Sequence, residues 1–463
     1  MLRTHTCGEL AKEDVNKEAV LCGWVAARRD HGKIIFVDLR DRYGITQIVF
    51  LPKPDKETYE KAKKIRNEDV LKIKGAVGLR PKNTENPNIA TGLVEVCAKD
   101  LEVISSACDL PFSVDDSTEA SEEVRFTHRY LDLRRDKIRN NFILRHKLNQ
   151  EFRNFLNQEG FLEIETPFLT KSTPEGARDY LVPSRLSPNK FYALPQSPQL
   201  FKQILMVGGM DKYYQIARCF RDEDLRKDRQ PEFTQLDMEM SFIDQEDIIS
   251  LIERMMAGVF SKALGVEIKT PFERISHKQA IEKYNSDKPD IGSGQYRFAW
   301  VLDFPLFEFN PEEKSWQMCH HPFTSPHPED MQFLDSDLSK VRAKAYDLVL
   351  NGQELGSGSI RIHDIGLQQK IFSILGISET EAETKFGFLL RAFKHGAPVH
   401  GGIAFGLDRL YAIISGSESI REVIAFPKTQ RGVCPLSDAP SYVSEKQLKE
   451  LNLKLSEPEQ TGK

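Results

Sequence analysis

The sequence predicts an α+β protein with two domains, and three patterns support this prediction. Residues 1–104 hold five short strand-like segments, separated by turn signals, with one helical stretch among them. Residues 137–158 carry apolar side chains at helical spacing. From Gln235 to Phe242, polar and apolar residues alternate strictly, as in a strand that has one face on a core. With 463 residues, the chain is also too long for one ordinary core.

The composition indicates a soluble globular protein and argues against several other classes. Hydrophobic residues make up 40% and charged residues 29%. No apolar run is long enough for a membrane span, and the N-terminus lacks the pattern of a signal peptide. Seven scattered cysteines without a CxxC pair favour a reducing, cytoplasmic environment over a zinc ribbon or a disulfide framework. Because the net charge is −5, contacts to nucleic acid would need local basic patches.

The five N-terminal segments and their helix fit a small closed barrel of the oligonucleotide-binding kind. Strands are expected at 19–29, 33–41, 44–50, 70–80 and 93–104, and a helix at 56–66. Arg29 ends one strand and Phe36 lies on the next. Such basic and aromatic side chains can clamp and stack single-stranded bases. The alternative is that Phe36 belongs to the core and that Arg29 is solvated.

A linker is expected over residues 105–123, which are small, polar and acidic. It separates the barrel from a larger domain over 124–445, which a charged tail over 446–463 follows. The segment 161–169, FLEIETPFL, is expected to form a strand after the helix of residues 137–158. Because proline is confined to strand edges and bulges, Pro167 predicts a sheet edge or a subunit contact.

The stretch from Tyr213 to Ile243 predicts an antiparallel hairpin with an unusually long connection. Hairpin loops usually have about two to five residues, but the loop 221–233 has thirteen, four of them basic and five acidic. One interpretation is a solvated surface loop. The other is a loop that folds over a polyanion and its cation, with arginines on the phosphates and with Asp237 and Glu239 on the floor.

Three further stretches offer polar side chains without a decisive pattern. The Ser-Pro pair at 197–198 signals a helix start, which places Gln199 and Lys202 on one face of its first turn. Glu175 is an acid in a loop. His320 lies beside another histidine in a Pro-rich loop, and because no third ligand has suitable spacing, anion contacts are favoured over zinc.

The Asn-Gly pair at 351–352 is the strongest hairpin signal in the sequence. A two-residue loop pairs Val349 with Glu354, which makes Asp347 and Glu354 diagonal neighbours on one face. Two carboxylates so close repel each other unless a cation lies between them, which fits Mg²⁺ shared with substrate phosphates. Arg361, further along the same strand, offers a fixed cation.

The stretch 401–414, GGIAFGLDRLYAII, predicts a Gly-rich strand that passes into a helix. Arg409 falls in the opening turn of that helix, where its charge opposes the helix dipole by roughly a few tenths of a kcal/mol. A cation in this position is more favourable if it binds an anion.

Taken together, these stretches resemble the class II aminoacyl-tRNA synthetases, and among them the bacterial type of aspartyl-tRNA synthetases, over almost the whole chain. FLEIETP resembles motif 1, the dimer element, FRDEDLRKDRQPEFTQLDMEMSF resembles motif 2, and GIAFGLDRL resembles motif 3. TPEGARDYLVPSR and ALPQSPQLFKQ are similar to the aspartate-pocket signatures of this subfamily. Five long motifs in the right order are not expected by chance. The resemblance implies a class II catalytic domain built on an antiparallel sheet flanked by helices.

The resemblance also implies roles for single residues. Arg221 would hold the α-phosphate of ATP, Arg409 the γ-phosphate, and Asp347 with Glu354 the Mg²⁺, and catalysis would depend on Arg221, Arg409 and Glu354. The implied ATP contacts are Arg221, Asp222, Glu223, Gln230, Glu354, Gly406, Leu407, Asp408 and Arg409. The implied aspartate contacts are Glu175, Gln199, Lys202, Arg221, Asp237, His320 and Arg361. The implied anticodon contacts of the barrel are Arg29, Phe36 and Gln47.

The implied reaction is attack of L-aspartate on ATP, with release of pyrophosphate and transfer to the 3′ end of tRNA(Asp). His31, in the barrel turn where strict and relaxed members of the family differ, suggests tRNA(Asn) as a second acceptor. A cytoplasmic homodimer is expected. Two departures stand out: Ala27 replaces an arginine that family members can have, and residues 291–295 form a short Gly/Ser connection where bacterial relatives carry an insertion domain.

Three alternatives remain at this point. Asparaginyl- and lysyl-type synthetases share the fold, but they are not expected to retain QSPQLFKQ together with Arg361. A non-catalytic nucleic-acid-binding relative would not explain why Arg221, Glu354 and Arg409 are all present. A tRNA-independent, amide-forming relative would lack the N-terminal barrel.

Overall fold

The structure is a computed structural model that describes residues 1–53, 55–173, 176–292 and 294–456. The chain divides into two compact units, one up to Arg139 and one from Asn140 onward. This division falls within one long helix, whereas the sequence-based domain limits lie at residues 104 and 124. The segment predicted as a linker therefore packs with the first unit.

The first unit contains the predicted five-stranded closed barrel, and its strand order is β1-β2-β3-β5-β4. Its elements are β1 (Glu18–His31), β2 (Ile34–Arg40), β3 (Ile45–Phe50), α1 (Lys56–Ala62), β4 (Val70–Leu79) and β5 (Val94–Ser105). Alternate residues such as Leu21, Val37 and Ile48 are fully buried in the barrel core. Asp55 begins α1 by accepting hydrogen bonds from the backbone of Glu57 and Thr58.

Three helices follow the barrel: α2 (Glu122–Thr127), α3 (Arg129–Asp132) and α4 (Asp136–Gln158). Helix α4 confirms the predicted helix of residues 137–158. It ends just before Gly160, whose φ of 81° lies in the left-handed region that glycine adopts without strain.

The second unit is built on an eight-stranded sheet with helices around it. Its elements are β6 (Leu162–Glu163), β7 (Leu181–Pro183), β8 (Phe191–Ala193), α5 (Gln199–Val207), β9 (Lys212–Phe220), β10 (Glu232–Ser241), α6 (Gln245–Leu264), β11 (Glu273–Ser276), α7 (His277–Tyr284), β12 (Phe298–Leu302), β13 (Phe307–Asn310), β14 (Ser315–Met318), β15 (Ala345–Leu350), β16 (Gln353–Ile360), α8 (Ile365–Ile374), α9 (Glu379–Phe393), β17 (His400–Gly406), α10 (Leu407–Ser415) and α11 (Glu445–Glu450).

The sheet order is β11-β12-β15-β16-β17-β10-β9-β6. Its six central strands are antiparallel, while β11–β12 at one end and β6–β9 at the other are parallel pairs, so the sheet is mixed rather than purely antiparallel. The edge position predicted for FLEIETPFL is confirmed, but its strand has only two residues. The chain leaves the sheet at Thr166, whose amide and hydroxyl donate to the side chain of Gln215 and not to the backbone of β9.

The hairpin of β9 and β10 is confirmed, and the two faces of β10 have different surroundings. Leu236, Met238 and Met240 lie in one core cluster with apolar residues of α4 and α6. The strand ends at Ser241. Phe242, predicted to continue the apolar face, is instead exposed with a φ of 58°. The polar residues between the core residues point to the opposite side of the sheet.

None of the seven cysteines forms a disulfide bond. Across the described ranges, no helix combines the length and the apolar character that crossing a bilayer requires.

Candidate active site

A cleft of about 680 Å³ opens on the side of the sheet opposite to α6. Its floor consists of polar and small residues of β10, β16 and β17, and its walls come from α5, the loop after β9 and the segment 318–323. The stretches singled out in the sequence therefore meet in one place. Hydrogen bonding in the sheet sets the spacing of the floor residues, because Asp237 and Glu239 lie opposite Ala404 and Gly402.

Four buried charged side chains form one network at the inner end of the cleft. Lys202 Nζ lies 2.9 Å from Asp237 Oδ1 and 3.2 Å from Glu239 Oε2. Arg361 donates to both oxygens of Glu239, at 2.9 and 3.1 Å. All four side chains are at most 2% exposed. Such burial is tolerated only when each charge is paired, and here two cations match two carboxylates.

The two carboxylates differ in their electrostatics. Burial raises the pKa of Glu239, but Arg361 and Lys202 outweigh it and hold this pKa at about 2. Burial dominates at Asp237 and raises its pKa, although Lys202 opposes this change. Gly402 makes room for Glu239, because a β-carbon there would lie 2.0 Å from Glu239 Oε2. Glu239 is therefore ionised at neutral pH, while Asp237 can accept a hydrogen bond from a ligand.

His321 extends this network. The sequence favoured anion contacts for the pair of histidines, but only His320 was placed in the implied pocket. Arg361 Nη1 donates to His321 Nε2 at 2.6 Å and to Ser359 Oγ at 2.7 Å. Burial and the charge of Arg361 lower the pKa of His321 well below its usual value, so the ring stays neutral and accepts. The neighbouring His320 has its Nε2 3.9 Å from Asp347 Oδ1.

Several buried polar atoms at the cleft have no hydrogen-bond partner among the described residues. They are Gln199 Nε2, Asp237 Oδ2 and His320 Nδ1, with Asp347 Oδ1 next to them. Buried polar groups are nearly always satisfied in proteins, so a cluster of unsatisfied ones marks a place where a ligand binds. The sequence-predicted residues Gln199, Asp237 and His320 thus meet around one site.

Two arginines line the outer part of the cleft. The guanidinium of Arg221 lies over the ring of Phe233, 5.0 Å from its centroid, and forms no ion pair within the described ranges. Arg409 Nη1 donates to the backbone carbonyl of Glu354, and its Nη2 is 3.8 Å from Asp228. Both guanidinium groups retain donors for an anion such as phosphate.

The other predicted nucleotide contacts lie around these arginines. Glu223 pairs with Arg229 at 3.2 Å, and Asp222 lies 3.5 Å from Arg178. The side chains of three further residues are already occupied by contacts within the protein. Gln230 forms hydrogen bonds with the backbone of Lys428. Asp408 forms an ion pair with Arg145 and accepts from the backbone amide of Thr234, and Leu407 packs in the core. Gly406 precedes the first residue of α10. Gln230 and Asp408 therefore line the cleft with side chains that protein contacts hold in place, whereas Leu407 packs in the core.

The predicted pairing of Val349 with Glu354 is confirmed, but a register shift after Leu348 places Asp347 opposite Ser357. Among the described residues, no group of three or more His, Cys, Asp or Glu side chains is arranged to hold a metal ion. Within the described part of the chain, Asp347 Oδ1 is buried without a hydrogen bond, and the carboxylate of Glu354 forms an ion pair with Lys288 at 3.2 Å. The predicted diagonal placement of Asp347 and Glu354 is therefore wrong, because the shift moves Asp347 one position further from Glu354 along β16. Carboxylates remain ligands of the kind that Mg²⁺ takes together with phosphates and water.

The residues predicted to contact anticodon bases share the outer face of the barrel. Arg29 lies opposite Phe36, while Gln47 lies opposite Asp38. Arg29 binds both oxygens of Asp38, at 2.6 and 2.9 Å, and Gln47 Nε2 donates to Glu95 at 2.8 Å. Phe36 is half-buried rather than part of the core. Glu175 lies outside the described residues.

Solved structures support the same architecture. An asparaginyl-tRNA synthetase from Pyrococcus horikoshii, complexed with asparaginyl-adenylate, superimposes with a TM-score of 0.77 at 24% identity, covering 93% of this chain and 99% of that chain. A putative aspartyl-tRNA synthetase from Leishmania major Friedlin gives a TM-score of 0.76 at 21% identity, covering 92% and 94%. At these identities the likeness shows the fold.

Curated relatives are much more similar in sequence. An aspartate–tRNA(Asp/Asn) ligase of Caldanaerobacter subterraneus subsp. tengcongensis is 46% identical, with 98% of each chain covered. The ligase of the same name from Aquifex aeolicus is 44% identical, again with 98% of each chain covered. Since the first alignment spans 581 positions and this chain has 463 residues, that relative carries more than a hundred residues without a counterpart here.

Two family descriptions cover most of the chain. Residues 19–104 match an OB-fold nucleic acid binding domain, and residues 121–430 match the tRNA synthetases class II (D, K and N). These matches coincide with the observed barrel and with the unit that carries the cleft. The chain belongs to the class II aminoacyl-tRNA synthetases, in the group specific for aspartate, lysine or asparagine.

Proposed function

We propose that the protein is an aspartate–tRNA ligase that uses ATP and Mg²⁺. The observation that carries this proposal is a pair of buried cations, Lys202 and Arg361, at the inner end of a cleft whose outer part holds Arg221 and Arg409. Such a cleft suits a small dicarboxylate next to a polyphosphate. Relatives that are 44–46% identical over nearly their full length are named as ligases of this specificity.

In the proposed complex, Lys202 and Arg361 bind the side-chain carboxylate of aspartate. Gln199, His320 and Asp237 complete the pocket, and Asp237 Oδ2, which lacks a partner among the described residues, accepts from the α-ammonium group together with Glu175. Because Asp237 then pairs with the α-ammonium group, Lys202 and Arg361 share only Glu239 and need a further negative charge. The neutral amide of asparagine does not supply this charge, so asparagine is rejected.

The reaction follows from how the cleft holds ATP. Arg221 binds the α-phosphate and the reacting carboxylate of aspartate, Glu223 the nucleotide, and Arg409 the γ-phosphate. The carboxylate oxygen attacks the α-phosphorus in line, the bond to the bridging oxygen breaks, and pyrophosphate leaves with its electron pair. Asp347 and Glu354 would hold Mg²⁺, which neutralises phosphate charge. Positioning and charge neutralisation supply most of the acceleration, since no covalent enzyme intermediate forms.

The second step transfers the aspartyl group to the terminal adenosine of a tRNA whose anticodon contacts Arg29, Phe36 and Gln47.

We expect the purified protein to charge tRNA(Asp) and also tRNA(Asn) with labelled aspartate. Replacing Phe36 by Ala removes a stacking surface worth about 1–3 kcal/mol per base, so it should lower charging of both tRNAs about tenfold or more. Aspartate-dependent adenylate formation should not change. No charging of either tRNA by the unmodified protein would contradict the proposed function, and charging of tRNA(Asp) alone would reject the second acceptor.

Motif 1 provides the short edge strand β6, and several large apolar side chains near it are exposed. Leu162 is 51%, Phe168 47% and Leu169 54% exposed. We therefore propose a two-fold homodimer through this edge. Light scattering at micromolar concentration should give twice the chain mass of 52.9 kDa. A mass of one chain under these conditions would contradict the assignment.

We also propose that the extra residues of the longer relatives are inserted at the position of the connection 291–295. This connection joins α7 to β12, and its described glycines, Gly292 and Gly294, are exposed. A domain enters and leaves most easily at such a surface point, and closing the gap with a short flexible bridge has a small entropic cost.

A further inference from the structure

One charged side chain of the cleft has no place in the scheme above. Lys288 lines the same cleft as Arg221, Arg409 and Glu354. Its Nζ lies 3.2 Å from Glu354 Oε2. It belongs to the segment 286–290, SDKPD, which leads from α7 to the short connection at 291–295.

This segment is held firmly against the hairpin that carries Glu354. Pro289 is buried, and the backbone amide of Lys288 donates to Ser286 Oγ at 3.0 Å. Asp290 lies so close to the turn that a β-carbon on Gly352 would be 3.3 Å from the β-carbon of Asp290. The segment therefore lies against this hairpin, with Lys288 beside Glu354.

The environment of Lys288 resembles that of a substrate-binding cation more than that of a structural one. The Lys288–Glu354 ion pair is partly solvated, with side-chain exposures of 42% and 30%. Solvated pairs of this kind contribute little to stability. Arg409 is bound to the backbone carbonyl of Glu354, so three charged groups converge on the outer part of the cleft. A polyphosphate that binds in the cleft would form a stronger interaction with Lys288 than the partly exposed carboxylate of Glu354 does.

We propose that Lys288 is a further polyphosphate-binding residue, which contacts the β- and γ-phosphates of ATP and the pyrophosphate formed from them. This inference rests on the proposed function, because it assigns the polyphosphate end to the outer part of the cleft. Binding exchanges the ion pair of Lys288 for a phosphate contact and frees Glu354 at the same time. Charge on the leaving pyrophosphate is then shared between Arg409 and Lys288.

The test is equilibrium binding by calorimetry with a chelator present, so that no Mg²⁺ contributes. The ligands are pyrophosphate, an ATP analogue with a non-hydrolysable α,β-methylene bridge, and AMP, which lacks both distal phosphates. We expect Lys288→Met to weaken binding of pyrophosphate and of the ATP analogue about tenfold, and to leave AMP binding unchanged. Lys288→Arg should restore most of the affinity, and Lys278→Met, at an exposed position of α7, should change nothing.

The result separates this inference from the proposed function. Equal loss of AMP binding would show a general structural effect and overturn the assignment. Pyrophosphate affinity within twofold of the unmodified protein in Lys288→Met, or no pyrophosphate binding by the unmodified protein, would overturn it as well. If the protein fails to charge tRNA with aspartate but binds pyrophosphate through Lys288, the proposed specificity fails and the polyphosphate site stands.

Discussion

Replacing Glu239 by Gln is expected to lower the free energy of unfolding at pH 7 by about 3–5 kcal/mol, because two buried cations lose their shared carboxylate. Glu239 contacts both Lys202 and Arg361, and none of these three side chains is more than 2% exposed. Urea unfolding followed by fluorescence measures the change. Glu246→Gln is the matched control, because that carboxylate is 64% exposed and pairs with Arg274 at the surface. Its effect should stay within about 0.5 kcal/mol.

The effect of Glu239 has a defined pH dependence. Its pKa is lowered from 4.5 to about 2 in the folded protein, by Arg361 and Lys202 against the effect of burial. A lowered carboxyl pKa stabilises the fold above the unfolded-state pKa and loses this contribution as the pH falls through the folded-state value. The difference between the unmodified protein and Glu239→Gln should therefore be constant above about pH 5.5, and smaller by roughly 1 kcal/mol at pH 3.5. A difference that is the same at both pH values would contradict this account of Glu239.

Replacing Arg361 by Leu should lower kcat/KM for aspartate by an amount that corresponds to about 3–5 kcal/mol. Most of the discrimination between aspartate and asparagine should be lost with it. Arg361 is the fixed cation of the pocket, and its guanidinium group also binds both oxygens of Glu239. In the variant, the carboxylate of Glu239 keeps its ion pair with Lys202 but loses the one with Arg361. Aspartate-dependent exchange of pyrophosphate into ATP measures the loss. Arg361→Lys keeps the charge but not the two-pronged geometry, so it should recover only part of the activity.

A surface arginine supplies the control for that experiment. Arg274 on β11 is 42% exposed and pairs with Glu246, so Arg274→Leu should leave the exchange unchanged. If Arg361→Leu activated aspartate as well as the unmodified protein does, Arg361 would not determine specificity. The same conclusion would follow if Arg274→Leu lost as much activity as Arg361→Leu.

The elements with a strong local signal were predictable from the sequence. The Asn-Gly pair fixed the turn between β15 and β16 and paired Val349 with Glu354 as expected. Strict alternation located β10, and turn signals delimited the five strands of the barrel. The strand over FLEIETPFL was overestimated, because local pattern does not show that Thr166 turns away to bond Gln215.

Most of the polar residues that the sequence singled out line the cleft, but the contacts among them were not predictable. Arg361 and Glu239 are 122 residues apart in the chain, and no spacing rule brings them together. Glu239 occupied a polar position of an alternating strand, which was a usable signal, and His321 adjoined a predicted site residue. The shift that moves Asp347 opposite Ser357 had no visible signal, because a bulge depends on how the two strands pack. Lys288 was not predicted, because the sequence identified its segment only as one that borders the short connection at 291–295.

The most direct test of the central claim is pyrophosphate exchange into ATP with aspartate, asparagine and lysine compared side by side. The buried cations Lys202 and Arg361 should make exchange depend on Mg²⁺ and on aspartate, with asparagine and lysine at least a hundredfold slower, which is about 2.7 kcal/mol. Equal exchange with asparagine or lysine, or exchange that needs no added amino acid, would contradict the assignment of this cleft to aspartate.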